Sequence, residues 1–392
     1  MKILYLMTEP FGIGGVQSDV LTLTEDLRAK GHSVYVATTQ GVLLAELIGK
    51  GAIHVDIDFR FRTPQQFARA LRQLRQVVRR EGIELVAPQS VRSSMVAHVA
   101  LRVLPFGYRV AATARRVPIV TTIHNIHNPK NFKWAGRILR ASADFVIFES
   151  HYERNRLLAH GLPAHQSAVI HSGIDLDRFA TATRTAEFAR QYGLVPGEHL
   201  VFGIVARLSE EKGHHYLIDA FARVTAQQPH TRLLIVGDGP LLQQTQAQVA
   251  RLGLNERVIF AGMQRDIPSH LALLDVFVLS STRESFPLSA REAMAAARCV
   301  IAPRIGGCGE VVEDGVTGLL FTAANVDDLA AKMLTLSDRA KVAAMGTAGR
   351  RRAERLFSRH AWVDGDEKIY LDWAGLPPPS TSAASVAVSA SH

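Results

Sequence analysis

The sequence predicts an α/β protein made of two successive doubly wound units, and three observations carry that reading. Short apolar runs alternate with loops and helical patterns along nearly the whole chain. The alternation breaks over a polar stretch at residues 175–196 and restarts at Leu200. A chain of 392 residues is long for one domain and suits two. The expected organisation is a first unit at residues 1–175, a second at 196–357, a terminal helix at 358–375, and a Pro/Ser/Ala tail at 376–392 expected to be disordered.

The first unit opens with an apolar strand from Lys2 to Met7, then a loop reaching Gly14-Gly15. A helix follows with Val16, Val20, Leu23 and Leu27 on one face, and Ser33 to Thr38 is the next strand. This is a Rossmann-like β–loop–α–β opening. The loop is not Gly-x-Gly-x-x-Gly and no acid closes the second strand, which disfavours a dinucleotide site. Gly14-Gly15 is either a tight turn or a place where backbone amides approach a phosphate or sugar. Thr63-Pro64 caps a helix to about Arg80, with Phe67, Leu71, Leu74 and Val78 on one face and Arg69, Arg72, Arg75 and Arg79 on the other. It reads as a crossover helix, and its arginine face also suits anionic lipid headgroups. Further strands read at Leu85–Ala87, Ile119–Ile123 and Phe145–Phe148, the last ending at Glu149-Ser150. His124 follows its strand directly, at the edge where open α/β sheets hold ligands. His127 has no nearby carboxylate or cysteine to complete a metal set.

In the second unit, Leu200–Val205 leads to Ala206-Arg207-Leu208-Ser209-Glu210-Glu211-Lys212-Gly213 and a helix carrying Leu217, Ala220, Phe221 and Val224. Arg232–Val236 enters Gly237-Asp238-Gly239-Pro240, and Val258–Phe260 precedes Gly262. The buried-type run Val276–Leu279 enters Glu284-Ser-Phe286-Pro287-Leu288-Ser-Ala-Arg-Glu292, where Pro287 suits the first turn of a helix. Cys299–Ala302 then enters Gly306-Gly307. Parallel topology places the four ligand-capable loops on one sheet edge. They supply two cations, two carboxylates, glycine-lined backbone and helix N-termini, which is the set a sugar nucleotide needs. Cations and amides suit the pyrophosphate, and carboxylates suit ribose and sugar hydroxyls. Arg207 and Lys212 would stabilise charge on a departing diphosphate, a task a metal would otherwise perform. The plain alternative for Glu284…Glu292 is a surface loop and a solvated acid.

Net charge is uneven. Residues 1–175 hold 22 Lys and Arg against 13 Asp and Glu, and residues 176–392 hold 23 of each, so the whole excess of +9 lies in the first half. Such a face points to an anionic partner. No aromatic stacking run, helix-turn-helix or RNA motif accompanies it, so nucleic acid is not expected. Two cysteines, Cys299 and Cys308, make no disulfide framework, and no stretch of signal-peptide or membrane-spanning type occurs, which suits a cytoplasmic protein.

In order and spacing, Gly14-Gly15-Val16-Gln17, Ser172-Gly173-Ile174-Asp175, Ala206 to Gly213, Gly237 to Pro240, the Glu-x7-Glu of Glu284 and Glu292, and Gly306-Gly307 to Gly318-Leu319-Leu320 resemble the retaining GT-B glycosyltransferases of family 4. The resemblance covers residues 1 to about 373. It implies two Rossmann-like domains facing across a cleft, and a C-terminal helix crossing back to the first. It implies that Arg207 and Lys212 bind pyrophosphate, that Glu292 holds the ribose, and that Glu284 meets the transferred sugar. Phe286, Pro287 and Leu288 would offer backbone amides, Gly14 and Gly15 would face the diphosphate with Gly237 and Asp238 in the donor loops, and His124 would stand beside the sugar. The implied reaction is metal-independent, retaining transfer from a UDP- or GDP-sugar to a hydroxyl of a glycan or lipid-linked acceptor. It needs no cofactor and belongs to bacterial-type cell-surface polysaccharide, lipopolysaccharide or glycolipid synthesis, peripheral on the inner face of the membrane. A GT-B-fold sugar-nucleotide epimerase is the alternative. Ser285, Ala297-Arg298 and Gly309 depart from the family pattern, where Gly, Gly and Pro are usual.

Overall fold

The protein is described by a computed structural model covering residues 1–103, 116–124, 126, 131–182 and 184–377. His127 and the tail expected beyond Pro377 lie outside the described residues. In the first half, β1 (Lys2–Leu6), β2 (Ser33–Thr38), β3 (Ile53–Asp56) and β4 (Leu85–Pro88) pair in parallel in the order β3-β2-β1-β4. β5 (Val120–Ile123), β6 (Phe145–Phe148) and β7 (Ser167–Val169) form a second parallel set. A parallel bridge between Val86 and Ile119 joins the two sets. The second half is a six-stranded parallel sheet of β8 (Leu200–Val205), β9 (Thr231–Val236), β10 (Val258–Gly262), β11 (Val276–Val278), β12 (Cys299–Pro303) and β13 (Gly318–Phe321), in the order β10-β9-β8-β11-β12-β13. The expected α/β class is therefore the observed one.

Sequence chemistry explains these elements. Ile3 to Leu6 is an unbroken apolar run because helices cover both faces of a parallel sheet, and all four residues are buried. The helix Pro64–Glu81 starts with proline in its first turn and a full capping box between Thr63 and Gln66. Its Leu71, Leu74 and Val78 are buried, while Arg69, Arg72 and Arg79 are exposed. Arg75 departs from that basic face, since its guanidinium turns inward to the Ala100 carbonyl.

The last helix, Arg359–Ala374, falls within the expected 358–375 and packs on the first half. Trp362, Val363 and Tyr370 join the core around Tyr5, with the Tyr5 and Tyr370 rings 6.4 Å apart. Charge secures the same face: Glu367 accepts from Lys30 and pairs with His32, both at 2.7 Å, and Arg359 pairs with Glu25 and Asp26 at 2.6 Å.

Two local departures concern the Glu284–Glu292 segment. Pro287 precedes the helix as its cap instead of sitting in the first turn, and the helix runs Leu288–Ala295. Two residues past its end, Ala297 takes a left-handed conformation with φ 56°, at the place where the family resemblance has glycine. A Cβ in that region costs about 1 kcal/mol. Ala297→Gly should therefore raise stability in urea denaturation by roughly 1 kcal/mol, less the entropy glycine adds to the unfolded chain. A loss of stability would show that the Ala297 methyl packs favourably enough to outweigh the strain.

Candidate functional site

Both sheets reverse strand order beside their first strand. In the second half this places the loops after β8 and β11 side by side, and such a switch point is where open α/β sheets hold ligands. Lys212 comes from the first loop and Glu284 from the second, and they form an ion pair of 2.7 Å. The loops are stitched so that this pair must meet. Ser280 Oγ donates to the Lys212 carbonyl at 2.8 Å, and the Thr282 amide donates to the Glu211 carbonyl at 2.8 Å. Gly213 is left-handed at φ 60°, and any side chain there would run into the Ser280 carbonyl. Gly306 does the same service on the far side, at φ 53° and against the Glu284 carbonyl.

This pair lines a cleft of about 580 Å³ between the halves. Lys212, Glu284, Ser285 and Gly306 face Phe132, Tyr152, Glu153 and Arg156 of the first half across it. Glu153 is buried and receives a 2.7 Å hydrogen bond from Ser285 Oγ, while its other carboxylate oxygen has no hydrogen-bond partner among the described residues. Burial raises its pKa. The Arg156 guanidinium lies over the Phe132 ring, 4.0 Å from its centre. The helix His151–Leu158 that carries these residues is capped from the other half: the two Glu310 carboxylate oxygens accept from the His151 and Tyr152 amides, each at 2.8 Å.

The other expected donor residues do not line the cleft. Arg207 is exposed and has no ion-pair partner among the described residues. Asp238 is exposed, with one oxygen accepting from the Gly239 amide at 2.6 Å. Gly237 has φ 139°, and a side chain on it would run into the Ala206 carbonyl, so its glycine is required by packing between loops. Of the expected amide donors, Pro287 is excluded by chemistry, since proline has no N–H. Phe286 and Leu288 retain theirs. The Phe286 ring is buried, stacked on His171 at 4.8 Å and lying 4.4 Å from the guanidinium of buried Arg291. Glu292 is half-buried with no hydrogen-bond or ion-pair partner among the described residues. Burial raises its pKa to about 7, against the pull of Arg291 and Arg178. Gly14 and Gly15 are exposed at the start of the helix Gly15–Ala29, with open space beside Gly15.

His124 sits in a different environment from the cleft. It is buried, with Nδ1 2.7 Å from Glu149 Oε1 and 3.5 Å from Asp19 Oδ2, and Nε2 2.9 Å from Gln89 Oε1. Burial alone would lower its pKa, but Glu149 and Asp19 outweigh that and raise it to about 10. An imidazolium donating from both nitrogens has no lone pair and cannot act as a base. It can supply fixed positive charge.

Glu153, Arg156, Tyr152, Glu310 and Arg291 are not among the residues expected from sequence to form the site. One signal was available for Glu153: Ser150-x-x-Glu153 has capping-box spacing. Ser150 does accept from the Glu153 amide, at 3.3 Å, but the Glu153 carboxylate turns to Ser285 instead of closing the box.

Comparison with known proteins adds the lineage. Residues 13–178 match the family described as Glycosyltransferase Family 4, and residues 186–352 match Glycosyl transferases group 1. A GDP-mannose-dependent alpha-(1-6)-phosphatidylinositol monomannoside mannosyltransferase of Mycolicibacterium smegmatis is 35% identical over 219 residues, 53% of this chain and 57% of that protein. The match thus spans little more than half of that relative. A 2-deoxystreptamine glucosyltransferase of Streptomyces kanamyceticus is 31% identical over 264 residues, 64% of this chain and 67% of that protein. Among solved structures, Anabaena HepE in complex with UDP has a TM-score of 0.80 at 26% identity, covering 95% of this chain and 100% of that one. With both halves matched in order and the fold shared over 95% of the chain, it belongs to glycosyltransferase family 4, the glycosyl transferases group 1, and has the GT-B fold.

Proposed function

We propose that the protein transfers a sugar from a nucleoside diphosphate sugar to a hydroxyl of a glycan or lipid-linked acceptor, with retention and without a metal. The observation that carries this reading is the Lys212–Glu284 pair at the switch point, facing Glu153 and Arg156 across the cleft. In the free protein each member holds the other in place at 2.7 Å. A bound diphosphate offers Lys212 a second anion, which frees Glu284 to accept hydrogen bonds from sugar hydroxyls. Lys212 and Arg207 stabilise the negative charge that grows as the bond from the anomeric carbon to the diphosphate oxygen breaks. The acceptor oxygen attacks from the face the phosphate leaves, and its proton passes to the departing phosphate oxygen. Glu292 accepts from the ribose hydroxyls, and Glu153 and Arg156 supply polar contacts for an acceptor.

The relatives' names support both bases, since one is GDP-mannose-dependent and the HepE complex holds UDP. The phosphatidylinositol mannoside named for the mycobacterial relative favours a glycolipid or cell-surface glycan as product. A peripheral membrane position at the inner face is supported by surface chemistry. Besides the exposed arginines of the helix Pro64–Glu81, Trp134 is 63% exposed with the Arg137 guanidinium 5.7 Å from its ring. Among the described residues no helix is long and apolar enough to cross a membrane.

Lys212→Ala should lower turnover at least about 100-fold while far-UV circular dichroism stays unchanged, and nucleoside diphosphate release should require an acceptor. Full activity in that variant would remove Lys212 from the mechanism, and acceptor-independent consumption of donor would favour an epimerase. Glu292 has a second, separable signature. Its folded pKa of about 7 lies above the ordinary 4.5, so its contribution to stability is present below pH 4.5 and lost as the pH rises through 7. Glu292→Gln should stabilise the ligand-free protein by about 2 kcal/mol near pH 8, with the gain shrinking towards pH 5, while weakening nucleoside diphosphate binding. A variant less stable than the parent near pH 8 would make Glu292 a structural residue. For the membrane, flotation with anionic vesicles should carry the protein upward at low salt and release it as salt rises. Absence of flotation at low salt would confine the basic face to an anionic acceptor.

A further inference from the structure

A second group of ligand-type side chains lies on the seam between the halves, apart from the Lys212–Glu284 pair. His151 and His171 come from the first half and Glu310 from the second, and one ligand atom from each lies within 4.8 Å of the others. From this juxtaposition we propose that His151, His171 and Glu310 bind a divalent transition metal ion of the zinc type, which ties the two halves together. The inference goes beyond the transfer reaction and does not depend on it.

Each residue is prepared for the task in a different way. His171 Nδ1 is 2.7 Å from the Glu149 carbonyl, an acceptor only, so Nδ1 carries the proton and Nε2 keeps its lone pair. A histidine whose other nitrogen donates to a backbone carbonyl is the usual form of a metal-binding histidine. Its ring is also held in orientation, stacked on Phe286 at 13° and edge-on to Phe357. Both Glu310 oxygens are fixed by the His151 and Tyr152 amides at 2.8 Å, and each retains a further lone pair. His151 is exposed, its ring has no hydrogen-bond partner among the described residues, and it stands edge-on to His171 at 5.7 Å. It is the adjustable member: rotation of its side chain brings the set towards the spacing of about 3.3 Å that zinc bonds of 2.0–2.1 Å require.

Two imidazoles and one carboxylate suit Zn²⁺ or Co²⁺ in a four-coordinate site with one position for water, and suit Mg²⁺ or Ca²⁺ poorly. Because the ligands come from both halves, the ion would add a bond across a seam otherwise closed by contacts such as the Ile174 amide to the Phe357 carbonyl at 2.9 Å. Binding only the assembled arrangement, the metal stabilises it by mass action.

The test is calorimetric titration of chelator-stripped full-length protein with ZnCl₂, alongside Co²⁺ absorption spectra and thermal melting. The parent protein should bind one ion per chain, show the d–d absorption of four-coordinate Co²⁺, and melt at higher temperature with Zn²⁺. His151→Gln, which removes an exposed and unpartnered ring, should weaken binding at least about tenfold and abolish the Co²⁺ bands, as should His171→Gln. The chain carries 16 histidines, so the variants decide which of them are used. Absence of saturable binding, or equal affinity in His151→Gln, would overturn the site. A melting temperature unmoved by a bound ion would overturn the tie between the halves.

Discussion

The ion pair between Lys212 and Glu284 is the constraint on which the rest of the site depends. Two loops from adjacent strands are bound to each other by backbone and side-chain hydrogen bonds so that one cation and one anion sit 2.7 Å apart at the wall of the cleft. Lys212 keeps 27% of its side chain exposed while Glu284 keeps 10%. The pair is therefore desolvated on one side and open on the other. An ion pair held in that state is weak evidence for stability but a prepared site for a ligand that brings its own charge and hydroxyls.

The two halves are held together by groups that are costly to bury alone. Arg291 is almost wholly buried, donates to the Ser172 carbonyl of the first half, and lies over Phe286. It acts electrostatically on Asp19, Glu149 and Glu292, so both halves share one charge network. His124 stays protonated within it because two carboxylates surround it. Asp366, from the last helix, is buried, and burial with the nearby Glu149 raises its pKa to about 8. A carboxyl in that state is neutral at neutral pH, so the terminal helix adds no further negative charge to the cluster.

Much of the fold was legible because its strands are buried on both faces and read as unbroken apolar runs. The runs at Leu200–Val205 and Phe145–Phe148 coincide with β8 and β6 to the residue. The short edge strands β3 and β13 carry weaker signals, since a strand of four residues at a sheet edge has little apolar run to read. For the site, Lys212 and Glu284 could be paired from sequence because parallel topology forces their loops to one edge. Glu153 and Glu310 could not, because each acts on the opposite half of the chain, and no local spacing encodes a contact between residues more than a hundred positions apart. His124 was placed at the right sheet edge by its strand, but its burial depends on Glu149, Asp19 and Gln89, which arrive from three other elements. Ser285 looked like a mere departure from glycine until the fold set it against Glu153.

The proposed donor site is the Lys212–Glu284 pair, which opens when a diphosphate binds. A crystal structure of the protein with UDP or GDP tests it most directly. Donor binding at this pair would put diphosphate oxygens within hydrogen-bond distance of Lys212 Nζ and Arg207, the ribose on Glu292, and Glu284 free of Lys212. A nucleotide bound elsewhere, with the 2.7 Å pair intact, would contradict it.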